Sequence, residues 1–204
     1  EQERFITDNN KSAVEKFKKK LKWENNEKWF DCGGVGVLFY AVGSDEPNVV
    51  RGLLQELKQN FKGVEYTRRL ESRVRDEGYV TLGIPGAATS LMAAMNFASP
   101  EIVSMLLEYG TNVSNVDVMG NDAFMFASSM GRPDNLQCWF ESVKNWDLNR
   151  VETIFGGSAL SKAVYMGANK LETVKVLLSV GARHDFRTFS GGTVLTGAVE
   201  NEDS

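Results

Sequence analysis

The stretch Thr-Ser-Leu-Met-Ala-Ala, residues 89–94, decides the fold of this chain, because blocks of the same kind recur along it. Asp-Ala-Phe-Met-Phe-Ala follows at 122–127, so the two closing alanines, Ala94 and Ala127, lie 33 residues apart. Five such blocks of small and apolar residues occur, and they close at Ala41, Ala94, Ala127, Ala163 and Ala198. Self-similarity at a fixed period is the sequence signature of stacked structural repeats. The pattern therefore predicts a repeat architecture.

Each repeat is predicted to contain two helices. The block forms the first helix, and a second segment follows with apolar residues at i, i+1, i+4 and i+5, which lie on one face of a helix. Gly110 and Gly181 follow second segments, where a left-handed C-cap ends a helix. Prolines are expected just ahead of second helices, where the missing N–H costs nothing; they are Pro47, Pro100 and Pro133. One helix pair cannot bury its apolar face alone, so neighbouring pairs must stack.

The pattern resembles the ankyrin repeat, whose block reads Thr-Pro-Leu-His-x-Ala in a unit of about 33 residues. Thr89 and Thr193 keep the threonine, Ser158 replaces it, and no block keeps both the proline and the histidine. Gly110-Thr111-Asn112 and Gly181-Ala182-Arg183 resemble the family's Gly-Ala ending. The resemblance implies an all-α fold, an ankyrin-type α-solenoid of helix–turn–helix repeats with short hairpin loops. A helical solenoid of another kind is the alternative.

The spacing of the blocks predicts the domain organisation. We expect an N-terminal basic amphipathic helix or cap at 1–30, a degenerate first repeat at 31–57, a charged insert at 58–85, and repeats at 86–116, 117–149, 150–186 and, in part, 187–204. Within the first segment, residues 11–23 are predicted to be helical. That helix either caps the first repeat or places Lys18, Lys19 and Lys20 against an acidic or membrane surface. The insert is expected to be a solvated loop or short helix, with partner contact as the alternative.

Composition limits the function classes. Hydrophobic residues make up 42% of the chain and charged residues 25%, with a net charge of −4. These values are typical of a globular domain and argue against binding to nucleic acid through bulk charge. Cys32 and Cys138 are dispersed, so no disulfide framework is expected, which favours an intracellular, reducing compartment. The chain begins at Glu1, so an organellar location with a removed targeting peptide stays open beside a cytoplasmic one.

Catalytic and metal-binding patterns are not found. His184 is the one histidine, and with two separate cysteines it cannot form a zinc site of the usual spacing. No nucleophile elbow accompanies it. Gly33-Gly34-Val35-Gly36 lacks the Lys-Ser/Thr ending of a phosphate loop and is interpreted as a turn. We therefore expect no enzyme activity, no cofactor, no metal, no small-molecule substrate and no transmembrane segment.

The ankyrin resemblance implies that partners contact the hairpin tips and the ends of the first helices. At these positions the chain is unusually apolar, and exposed apolar patches mark interaction sites. The alternative is that the hairpins fold back and bury these side chains. The candidate partner-binding residues are Phe97, Tyr109, Val118, Met119, Asn121, Met130, Ile154, Phe155, Tyr165, Met166 and Phe189.

These expectations favour a non-catalytic protein–protein interaction scaffold with an apolar concave surface. Such a scaffold would be a subunit of a larger assembly, for which an organellar membrane is one open location. A regulatory ankyrin domain from a longer enzyme or channel is the alternative function.

Overall fold

The computed structural model describes residues 2–22, 35–74, 86–166 and 170–202. Within these ranges the chain is helical, and four isolated antiparallel bridges join pairs of described residues. This confirms the predicted all-α class. The helices are α1 (Gln2–Lys20), α2 (Val37–Gly43), α3 (Pro47–Asn60), α4 (Gly63–Leu70), α5 (Ser90–Phe97), α6 (Pro100–Glu108), α7 (Ala123–Ser129), α8 (Pro133–Ser142), α9 (Ala159–Met166), α10 (Lys170–Ser179) and α11 (Val194–Glu202).

A bridged turn precedes four of the short helices. Its bridges join Arg73 to Thr89, Val116 to Asp122, Val151 to Ser158, and Arg187 to Thr193. In every case the second residue also caps the following helix, because its side-chain oxygen accepts a hydrogen bond from the backbone N–H three residues later. The residue two positions before each cap has a positive φ, and these residues are Ala87, Gly120, Gly156 and Gly191. The four turns are therefore built alike.

The predicted boundaries of the second helices are confirmed where the structure describes them. Pro47, Pro100 and Pro133 are the first residues of α3, α6 and α8. Gly110 and Gly181 have φ of 84° and 94°, the left-handed conformation that ends a helix. These boundaries follow from local backbone chemistry, which explains why the sequence predicts them.

The chain divides into two compact units, Glu1–Asn112 and Val113–Ser204. In the first unit α1 packs on α3, while α2 packs on both α3 and α5. The helix predicted at 11–23 begins earlier and ends at Lys20; its Val14 and Phe17 are buried. Within the predicted insert, α4 is a short helix whose Tyr66 hydroxyl donates a hydrogen bond of 2.7 Å to the carbonyl of Tyr109. Residues 75–85 of the insert, and Cys32 with Gly33-Gly34, lie outside the described residues.

In the second unit, helices of the same kind pack on each other. Among the first helices, α7 packs on α9 and α9 packs on α11, while the second helix α8 packs on α10. The closing alanines Ala127 and Ala163 are fully buried, as are Ala41 and Ala94 in the first unit. Small side chains at these positions let neighbouring helices approach closely. Four of the five predicted closing alanines are thus alike in their burial, whereas Ala198 of α11 is half-buried.

The last helix leaves apolar positions exposed. Leu195 of α11 and Leu160 of α9 each lie two residues after the residue that caps their helix. Leu195 is 73% exposed, whereas Leu160 is 1% exposed. Val199 is also exposed, although Val164 at the matching place in α9 is buried. Leu160 lies in α9, which packs on both α7 and α11, so α11 exposes positions that α9 buries. No described helix combines the length and apolar character needed to cross a bilayer.

Gly120 provides a test of the turn geometry. Its φ is 83°, and a Cβ there would lie 2.8 Å from the backbone nitrogen of Thr153. We expect Gly120→Ala to lower the free energy of unfolding by about 2 kcal/mol or more, because the strained backbone and the clash add. Urea denaturation followed by circular dichroism measures this loss.

Gly191→Ala is the matched control. Gly191 has a φ of 86°, but a Cβ added there would have no other atom within 4 Å, so this variant should lose only the backbone contribution of about 1 kcal/mol. Equal losses in the two variants would contradict the close packing of the turn at Gly120 against Thr153.

Candidate partner-binding groove

A groove of about 460 Å³ opens on the second unit. The helix α9 contributes its floor, and the turns before α9 and α11 contribute its walls. Its lining mixes aromatic, thioether and hydroxyl side chains with one carboxylate and one ammonium. The lining residues are Glu152, Phe155, Gly157, Ser161, Lys162, Tyr165, Met166, Thr188, Ser190, Gly192 and Thr196.

Glu152 holds the first wall of the groove in shape. Its carboxylate, in a residue that is 1% exposed, accepts hydrogen bonds from three backbone N–H groups, one of which is shared between both oxygens. Oε1 accepts from Phe155 and Gly157, both at 3.0 Å, while Oε2 accepts from Ile154 at 2.6 Å and from Phe155 at 3.1 Å. Burial acts to raise the pKa of Glu152, but the hydrogen bonds from these N–H groups and the charge of Lys162 lower it by a larger amount. The pKa of Glu152 therefore lies below its ordinary value. The turn is therefore organised by a buried carboxylate.

The neighbouring turns are built and joined in a related way. Asp117 Oδ1 accepts hydrogen bonds of 2.8 Å from the backbone N–H groups of Met119 and Asn121. The Thr153 N–H donates to the Met119 carbonyl at 3.0 Å, and the Phe189 N–H donates to the Phe155 carbonyl at 2.8 Å. Because these bonds link each turn to the next, the three turns of the second unit form a connected edge.

The helix α9 presents the groove floor. The Tyr165 hydroxyl donates to the carbonyl of Thr193 at 3.4 Å, and its ring lies directly against Gly197, where a Cβ would be 2.2 Å away. Met166 follows at the helix end and is 69% exposed. Gly197 is thus required for the close approach of α11 to Tyr165.

Lys162 lies beside Glu152 in the groove lining. Burial lowers the pKa of Lys162, and the charges of Glu152, Asp117 and Asp122 oppose that change. Among the described residues the Lys162 ammonium has no hydrogen-bond or ion-pair partner. The groove therefore contains a half-buried cation whose N–H donors are available.

The structure brings several predicted partner-binding residues together. Phe155, Tyr165 and Met166 line the groove, Ile154 lies on the same turn as Phe155, and Phe189 packs over Gly156 at the rim. Three other predicted residues belong to the second unit without lining this groove; they are Val118, Met119 and Met130.

Three predicted residues have different surroundings. Asn121 is buried, and its Nδ2 donates to Asp117 Oδ2 at 2.9 Å, so this side chain belongs to the interior of its turn. Phe97 and Tyr109 are half-buried residues of the first unit. A Lys58 ammonium lies 5.4 Å from the centre of the Tyr109 ring.

The three lysines of α1 are also separated by their environments. Lys18 is 5% exposed with its Nζ 3.8 Å from Glu56, and Lys20 lies 3.4 Å from Glu46. Lys19 is exposed. Contact of these lysines with an acidic surface stays a prediction.

The polar side chains that line the groove are not among the predicted site residues. Glu152 carries a recognisable signal, since it follows the bridge residue Val151 as Asp117 follows Val116. Lys162 immediately precedes the closing Ala163, at a position that varies between blocks. Three hydroxyl residues of the lining carry no signal of this kind, and they are Thr188, Ser190 and Thr196.

The chemistry of the groove favours binding. Its lining holds neither histidine nor cysteine, and both Glu152 oxygens already accept backbone hydrogen bonds. No group of three histidine, cysteine, aspartate or glutamate side chains suited to a metal ion occurs in the described parts of the chain. What remains available is apolar surface, hydroxyl groups and the Lys162 ammonium.

Comparison with known proteins gives limited similarity. No family profile matches the chain. A stretch of 118 residues, 57% of the chain, is 29% identical to the phosphocholine transferase AnkX of Legionella pneumophila. The matched stretch spans 12% of the length of that relative, so the chain is similar to a small part of it.

Proposed function

We propose that the second unit is a non-catalytic protein-interaction module of the ankyrin type, whose groove receives a protein partner. One observation carries this proposal: Phe155 and Met166 are 60% and 69% exposed, yet they converge on a single groove. Exposed apolar side chains gathered in one concavity mark an interaction site. Aromatic and methionine side chains are also enriched in interface cores.

The repeated construction of the turns supports the ankyrin assignment. Caps, positive-φ residues and bridges recur before α5, α7, α9 and α11, and first helices pack on first helices in the second unit. The likeness to part of AnkX is compatible with it. Hydrogen bonds between the turns hold the rim in place before a partner arrives, which reduces the ordering entropy lost on binding.

Charged substitutions in the groove test the proposal. We expect Phe155→Asp and Met166→Asp to abolish the capture of partners from a native extract, because a buried unpaired carboxylate would oppose each interface. Their melting temperatures should change little, since both side chains are largely exposed. The measurement is affinity capture followed by mass spectrometry.

Leu171→Asp is the matched control. Leu171 is 66% exposed, but it lies on α10 and does not line the groove. It should leave capture unchanged. If Leu171→Asp lost the same partners as Phe155→Asp, or if the groove variants unfolded, the groove would not be the interaction site.

A subunit role in a larger assembly is proposed on separate grounds. Leu195 and Val199 of α11 are exposed at positions that inner repeats bury. A covering partner would remove this surface from water at about 25 cal/mol per Å². Native mass measurement of the endogenous protein in an intracellular fraction would show a complex; a monomer alone would contradict this role.

A regulatory domain within a longer polypeptide is the second candidate. It is supported by the likeness to a stretch that makes up 12% of a transferase. Sequencing of the complete transcript decides it. A reading frame that continues into a catalytic or membrane domain supports this candidate, and a frame without one contradicts it.

A further inference from the structure

We infer that the groove recognises a peptide segment that carries a carboxylate side chain next to a bulky apolar side chain, and that Lys162 binds the carboxylate. This inference rests on the proposed function, because it specifies the chemistry of the partner for the same groove.

Lys162 is the charged side chain of the groove that is available to a partner. The groove lining contains two charged residues, Glu152 and Lys162. Three backbone N–H groups, those of Ile154, Phe155 and Gly157, donate to the two oxygens of Glu152. Both oxygens are thus occupied by its own turn, so Glu152 offers less to a cationic group of a partner.

The other acids near Lys162 have contacts of their own, although Asp122 Oδ2 accepts no hydrogen bond from the described residues. Asp117 accepts from the backbone of Met119 and Asn121 and from the Asn121 side chain. Asp122 caps α7 through Met125 and lies 3.6 Å from an Arg150 nitrogen. These carboxylates favour the charged form of Lys162 through space but do not accept its N–H groups. Because no described acceptor lies within hydrogen-bond distance of the Lys162 ammonium, an incoming carboxylate can form a charge-assisted hydrogen bond with it.

The apolar part of the partner follows from the rim. Phe155 and Met166 line the groove, and the ring of Phe189 packs over Gly156 beside them. Methionine and aromatic side chains adapt to bulky apolar groups. Hydroxyl groups of Thr188, Ser190 and Thr196 line the groove and can hydrogen-bond the partner's backbone. The groove thus provides one cationic contact and one apolar contact for a single segment.

A displayed library of random peptides tests the inference with the whole chain as bait. The wild type should enrich peptides with Asp or Glu beside Leu, Phe, Trp or Met. Lys162→Arg should keep that preference, whereas Lys162→Met should keep the apolar preference and lose the acidic one. Lys175→Met is the control, since Lys175 is an exposed residue of α10 paired with Glu172.

A selected peptide then gives a quantitative cycle. Replacing its acidic residue with the amide should weaken binding to the wild type by about tenfold or more, because a charge pair in a desolvated site is broken. The same replacement should have almost no effect on binding to Lys162→Met. The peptide change is made on the folded wild type, so this step stands even if Lys162→Met is unstable.

The outcomes distinguish a failure of the Lys162 contact from a failure of the groove as a binding site. The role of Lys162 is overturned if the wild type enriches apolar peptides without an acidic preference. It is also overturned if the acid-to-amide change in the peptide weakens binding to Lys162→Met as much as binding to the wild type. Either result leaves the groove as a binding site. Failure of the wild type to enrich any peptide, or enrichment that Phe155→Asp and Met166→Asp leave unchanged, overturns the proposed function itself.

Discussion

Replacement of Trp139 with alanine is expected to lower the free energy of unfolding by about 3–5 kcal/mol. Trp139 of α8 is fully buried, and its ring centre lies 5.8 Å from that of Phe124 and 5.1 Å from that of Trp146. Phe124 of α7 also contacts Phe140 at 5.6 Å. Truncation would leave a large cavity between the two helices of one repeat. Chemical denaturation, with the midpoint and slope fitted together, measures the loss.

Trp139→Phe separates packing from polarity. The indole Nε1 of Trp139 is buried without a hydrogen-bond partner among the described residues. Phenylalanine keeps most of the ring contacts and removes that unsatisfied donor, so we expect a loss of less than about 1.5 kcal/mol. If phenylalanine cost as much as alanine, the indole nitrogen would have a partner, and the packing argument would be wrong.

Replacement of Glu152 with glutamine is expected to cost about 2–3 kcal/mol at pH 7. Glutamine offers one acceptor oxygen, so N–H groups of Ile154, Phe155 or Gly157 lose their partner, and hydrogen bonds to charged groups contribute about 1.5–3 kcal/mol. Removal of the charge also leaves Lys162 in a less favourable field. Urea denaturation at neutral pH measures the effect.

The difference in unfolding free energy between the wild type and Glu152→Gln is expected to depend on pH. The pKa of Glu152 lies below its ordinary value of 4.5, so the carboxylate contributes its full stability above that pH. The contribution is lost as the pH falls through the lower folded-state pKa. The gap between the wild type and Glu152→Gln should therefore narrow when denaturation is repeated at decreasing pH below about 4.5.

Glu172→Gln is the matched control for both measurements. Glu172 is an exposed residue of α10 that pairs with Lys175 at 2.8 Å, and such pairs contribute less than about 1 kcal/mol. A loss in Glu172→Gln as large as that in Glu152→Gln, or a gap that is independent of pH, would show that Glu152 does not organise its turn.

The candidate site residues differ in how well their surroundings can be predicted from the sequence. Phe155 and Met166 are predictable, because turn tips and helix ends have fixed places in a repeat. Asn121 is also a turn residue, but its side chain is buried against Asp117. Its direction depends on which acceptor lies within the same turn, and periodicity carries no information about that.

Lys162 is the clearest case of a property that the sequence hides. Its place before a closing alanine is visible, but its lack of an acceptor is not. That property depends on Glu152, whose oxygens are occupied by the backbone of a turn that precedes α9.

The amino-acid sequence alone determined the helical class, the approximate start of second helices at prolines and the glycines that end them. These features depend on backbone conformation and on apolar periodicity within one repeat, which short stretches of sequence encode. Tertiary structure decided which side chains share the groove, that Glu152 is buried and that Lys162 is unpaired. Burial and hydrogen bonding depend on contacts between turns about 34 residues apart, such as Thr153 with Met119 and Phe189 with Phe155, and these contacts exist only once the turns lie side by side.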